Sequence, residues 1–168
     1  RPASRRASHG LRAARWAARG DRPAVGAVLR ATRGRERGAR YGPRGTLWSE
    51  RPQLPKRPLR RWQVWNEPEL VKYFSPARDE DGWAAPYVQL LQTAATAIRA
   101  ADPGATVVAA GVTGRTWTDL HKIYAAGGRR WFDVAAIHPF SARVDNVVKI
   151  VGLTRSEMRR SGDAKKPL

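Results

Sequence analysis

Two points in the sequence set proton-moving groups at the end of an apolar run. The stretch WQVWNEPEL, residues 62–70, places Asn66 and Glu67 directly after a bulky, β-prone segment flanked by Trp62 and Trp65. Further on, FDVAAIHPF, residues 132–140, ends its apolar run in His138. Burial disfavours the charged form of a carboxyl. A carboxyl held protonated near neutral pH can act as a general acid. An adjacent amide can hold a hydroxyl, and an indole offers a flat apolar face.

The elements that must position these groups are legible as alternating periods. WQVWN reads as a short buried strand. Residues 84–101 follow, with Tyr87, Leu90, Leu91, Ala94 and Ile98 at helical spacing. Pro86 suits the first turn, and Asp102-Pro103-Gly104 stops the helix. ATVVAAG, 105–111, is an apolar run of strand length. Thr116, with Asp119 three residues on, resembles a capping box. Trp117, Leu120, Ile123 and Tyr124 give the helix it opens an apolar face, and Gly127-Gly128 ends it. FDVAAI, 132–137, is a third buried strand. Residues 144–160 predict a third helix, with Val144, Val147, Val148, Val151 and Met158 inward and Gly152 as a weak point. Gly162-Asp163 closes it, and Pro167-Leu168 would begin a fourth strand.

The order β-α-β-α-β-α, with strands apolar on both faces, implies a parallel sheet covered by helices. A doubly wound sheet and a (β/α)8 barrel both fit. In either, function sits at the carboxyl ends of the strands. Asn66, Glu67 and His138 all stand there.

Composition divides the chain in two. Of its 168 residues, 1–61 hold 18 Lys/Arg against Asp21, Glu36 and Glu50, a balance of +15. Residues 62–168 hold 14 against 11 acids, a balance of +3. Residues 1–40 are mostly Arg, Ala and Gly and read as a basic, irregular or disordered segment. The other reading is an arm for nucleic acid or an anionic surface. The absence of aromatic interleaving and the near-balanced body argue against nucleic acid as the partner. Residues 41–168 form the patterned domain. With no cysteine, disulfides and thiolate metal sites are excluded, and His9, His121 and His138 make no metal-ligand spacing. No apolar run approaches the roughly 20 residues that span a bilayer, and no signal peptide is visible.

The W-N-E-P segment resembles the fourth-strand acid/base motif of retaining glycoside hydrolases built on (β/α)8 barrels. RYGPRGTLWSERPQLPKRPLRRWQVWNEPEL, 40–70, is similar to the lead-in of proteins related to glycoside hydrolase family 39 and cellulase-like relatives. YVQLLQTAATAIRAADPGATVVAAG, 87–111, resembles their fourth helix and fifth strand, and FDVAAIHPF their sixth strand. The resemblance covers about 40–168. Asn-Glu-Pro alone is moderately specific, and the whole frame is strongly so.

The resemblance implies an O-glycosyl hydrolase that needs neither cofactor nor metal. Glu67 would protonate the leaving oxygen and then deprotonate water, and Asn66 would hold the 2-hydroxyl. His138 and Trp65 would line the sugar subsite. The substrate would be a β-linked oligo- or polysaccharide or glycoside, met outside the cell. Family members often place Tyr where this chain has Phe140, which leaves Phe140 a packing role. Readings without chemistry stand beside these. Trp62 and Trp65 fit the core or barrel wall ahead of a sugar platform, and His138 fits a structural strand end. Glu69 reads as a solvated loop acid, Arg129-Arg130 as a solvated pair, and Asp133 as a strand-start residue on the stability face.

A retaining mechanism needs two carboxyls roughly 5–5.5 Å apart. In the resembled families the nucleophile is a Glu ending the seventh strand. Here Glu157 falls on the last helix and Asp163 on the turn after it, so neither fits. The expectation is therefore a partial barrel, incomplete at both ends, marginal in stability and inactive by itself.

Overall fold

The computed structural model describes residues 36–74 and 82–168. Most of the basic segment expected over 1–40, with His9, lies outside the described residues. A single helical turn α1 (Leu47–Glu50) leads through an extended stretch to strand β1 (Arg61–Gln63). Helix α2 (Ala84–Ala101), strand β2 (Thr106–Val108), helix α3 (Thr116–Ala125), a 3-10 turn over Gly128–Trp131 and helix α4 (Val144–Arg160) follow. This is an α/β arrangement with parallel pairing.

β1 and β2 run parallel, with Trp62 opposite Val107. Isolated parallel bridges extend the pairing: Asn66 with Gly111, Val108 with Val134, and Val112 with Ile137. The apolar run 132–137 thus lies alongside β2, but as bridges rather than the regular strand expected. Side chains break the ladder. Val107 N–H donates to the Asp133 carboxylate at 2.8 Å. Ala110 N–H donates to the Tyr87 hydroxyl at 2.6 Å, and that hydroxyl donates to Val64 C=O at 3.2 Å. Tyr87, fully buried on α2, bridges two strands where their own bonds part. At the chain end, Ala135 N–H donates to Pro167 C=O at 3.0 Å. This brings the expected start of a fourth strand beside the third segment.

α2 has the predicted bounds and the predicted inner face. Tyr87, Leu90, Leu91, Ala94 and Ile98 are all buried, packed with Val107, Ala109 and Val112 of the sheet. Each large side chain in such a face contributes roughly 1.5–3 kcal/mol.

α3 differs in detail. Its N-cap is Arg115, and no side chain caps it. Thr116 is not the cap of a capping box but a buried residue whose hydroxyl meets that of Thr154 on α4 at 2.6 Å. A buried hydroxyl must find a partner, and here the neighbouring helix supplies it. Gly127, at φ 83, makes the left-handed turn that ends α3.

α4 spans its predicted length straight through Gly152, but its buried face is not the predicted valine stripe. Thr154, Glu157 and Met158 are covered, whereas Val144 and Val148 are 78% and 67% exposed. The physical reason is where α4 is held. Its hydrogen bonds to α3 fall at Thr154 and Glu157, in its C-terminal half.

Candidate functional site

The chain leaves β1 through a bend. Trp65 and Glu67 both take positive φ, 75 and 48, a region that non-glycine residues seldom occupy. Three restraints hold it. Glu67 N–H donates to Gly111 C=O at 2.9 Å, Asn66 bridges Gly111, and Pro68 is fully buried. Backbone strain that persists at such a cost is a feature of functional sites.

The bend turns the Glu67 carboxylate toward His138. Glu67 Oε1 and His138 Nδ1 stand 2.8 Å apart, with side chains 14% and 27% exposed. His138 is fixed through its backbone, its N–H donating to Val112 C=O at 2.8 Å. The pair is therefore built from the carboxyl ends of two segments that flank the central strand.

The other predicted residues divide. Asn66 is exposed at the rim, and Trp65 is half-buried, packing edge-on against Phe74 at 5.7 Å between ring centroids. With Gln63 and Tyr73 they line an open depression of about 510 Å³. Trp65 thus packs as a wall residue, as one of its two expected roles requires, and the sugar-platform role stays a proposal. Phe140 is 76% exposed with its ring 5.5 Å from that of His138, so its packing is against the imidazole and not the core.

Glu69 corrects its expected role as a solvated acid. Its Oε1 accepts from Thr113 N–H at 2.6 Å and from Thr113 Oγ1 at 2.9 Å, while its Oε2 is buried without a hydrogen-bond partner. It ties the turn after β1 to the turn after β2. Burial, then the neighbouring Glu69 carboxylate, push Asp119 up to about 6 against the pull of Lys122.

Away from the strand ends, the acids are structural. Asp133 pairs with Arg99 at 2.8 Å and accepts from Val107 N–H. Arg129 is not merely solvated: it pairs with buried Asp163 at 3.1 Å and donates to Gly162 C=O. Glu157 is 3% exposed. Burial pushes it up, but hydrogen bonds from Arg160, His121 and Ser161 more than offset this and hold it below the usual carboxylate range. Among the described residues, no three His, Asp or Glu side chains gather as metal ligands. No described helix is long and apolar enough to cross a membrane.

Sequence reasoning missed Gly111, Gln63, Tyr73 and the Glu69–Thr113 clamp. Glu69 had one signal, its place two residues past Glu67 on a turn that needed fastening. The bend and the pair define an α/β protein with a carboxylate–imidazole couple at the carboxyl ends of parallel segments. Among known proteins, no family model matches the chain and no curated protein matches it.

Proposed function

We propose that this chain carries the acid/base part of a retaining O-glycosidase site, set in part of a (β/α)8 barrel. The observation that carries the reading is the 2.8 Å pairing of Glu67 with His138 at the strand ends. Glu67 is the group that protonates the departing glycosidic oxygen and then takes a proton from water. His138 holds a hydrogen bond on the carboxylate as its charge changes. Asn66 holds the sugar's 2-hydroxyl, and Trp65 and Tyr73 offer ring faces in the adjoining depression.

No second carboxylate takes up the nucleophile's part among the described residues. Glu69 is engaged by Thr113, and the buried carboxylates of Glu157 and Asp163 are paired with exposed arginines. The chain by itself is therefore expected to bind sugar without turning it over.

Tryptophan fluorescence titrated with a panel of neutral β-linked oligosaccharides tests this. Saturable binding is expected, retained in Glu67→Gln and weakened at least tenfold in Asn66→Ala. A flat response across the panel removes the carbohydrate reading. Turnover of aryl β-glycosides that Glu67→Gln abolishes would instead reveal a substitute nucleophile.

A second reading, a carbohydrate-binding protein without chemistry, is favoured by the exposed Asn66 and Tyr73 around the depression. Binding that survives unchanged in both Glu67→Gln and His138→Ala would select it.

A further inference from the structure

We infer that Gly111 is a positioning residue for the Glu67–His138 pair: the missing side chain at 111 is the space in which the imidazole lies. The backbone there does not require glycine, because Gly111 is not among the residues at positive φ. What requires it is the ring. A Cβ at 111 would stand 2.8 Å from His138 Cδ2 and 2.9 Å from Cε1, and closer still to Nε2. Real Cβ atoms do not approach so near, so one partner would have to move.

The main chain cannot readily give. Gly111 C=O accepts from Glu67 N–H, Asn66 bridges Gly111, and Val112 C=O accepts from His138 N–H. The imidazole must therefore leave, and with it the 2.8 Å contact to Glu67 Oε1.

Two consequences follow for the pair. At a pH where Glu67 is ionised its carboxylate can only accept hydrogen bonds, so a neutral His138 that keeps this contact carries its proton on Nδ1, with Nε2 turned to Gly111. Because the ring occupies Oε1, Oε2 is left as the oxygen that faces substrate. This last step rests on the glycosidase reading, whereas the packing and the tautomer do not.

The test is ring nitrogen spectroscopy on the full chain carrying 15N-histidine, with His138→Gln assigning the resonances. At a pH alkaline enough to leave the ring neutral and the carboxylate ionised, wild type is expected to show His138 mainly as the Nδ1–H tautomer. Glu67→Ala should lose that signature, and Gly111→Ala should lose it too while its far-ultraviolet circular dichroism stays that of wild type. An unchanged His138 signature in folded Gly111→Ala overturns the inference. If Gly111→Ala does not fold, the wild-type spectrum decides, and a neutral ring protonated at Nε2 overturns it. Failure of oligosaccharide binding leaves these spectra as they are, so the two ideas fail separately.

Discussion

At the residue scale, the molecule spends polar side chains where its sheet ladder is interrupted. Tyr87 is the clearest case: its hydroxyl serves Ala110 N–H and Val64 C=O in a site of zero exposure. Burial, opposed by the bond from Ala110, pushes its phenol well above the ordinary value. Tyr87→Phe keeps the ring and strands both backbone groups. Its expected cost is about 1–3 kcal/mol, read from urea unfolding midpoints. Asp119 gives a pH dependence of opposite kind to an ion pair. Its folded pKa, about 6, lies above the model-peptide value of 3.8, so the folded chain holds this proton more tightly than the unfolded one. Ionisation therefore costs stability, fully above pH 6 and not at all below about pH 4. Allowing for solvent screening of this partly exposed carboxyl, Asp119→Asn is expected to raise stability at pH 7 by on the order of 1 kcal/mol, a gain that vanishes toward pH 4. Denaturant curves at both pH values check it, and an equal effect at the two would refute the assignment.

At the scale of elements, two helices show how packing overrules pattern. Gly152 sits in α4, exposed, with open space where a Cβ would go. Gly152→Ala is expected to stabilise the fold by roughly 0.5–1 kcal/mol, seen as a higher urea midpoint with unchanged slope. The α3–α4 contact includes the buried Thr116–Thr154 hydroxyl pair beside the His121–Glu157 contact. Thr154→Val alone strands the buried Thr116 hydroxyl, at about 1–3 kcal/mol. Thr116→Val costs less because Thr154 still donates to Ile150 C=O at 2.9 Å, and the double change restores an apolar match. A double-mutant cycle should therefore show the pair costing less than the sum of the singles. Additive costs would mean that the bond carries little.

At the scale of the whole molecule, the described sheet is small for the helices laid on it. Among the described residues only β1 and β2 form regular strands, and Leu54, Leu59, Val71, Tyr73, Phe140, Val144 and Val148 are all large and exposed. Unpaired edges and exposed apolar groups favour association. The chain is expected to self-associate at micromolar concentration and to melt broadly below about 50 °C. Sedimentation velocity and a thermal melt check both, and a monomer with a sharp transition above that temperature would contradict the picture of a partial barrel.

The sequence by itself determined the elements whose information is local. The 3.6-residue period over 84–101 and the stop at Asp102-Pro103-Gly104 fixed α2 with its bounds and inner face. The polar residues closing WQVW and FDVAAI marked where chemistry could sit. Only the tertiary structure decided what long-range contact decides. It brought Glu67 to an imidazole 71 residues away, filled the space over Gly111 with that ring, and covered α4 at Thr154 and Glu157 and not at its valines. Periodicity states which residues share a face. Which face another element covers is set by packing between segments far apart in the chain, and no local pattern records it.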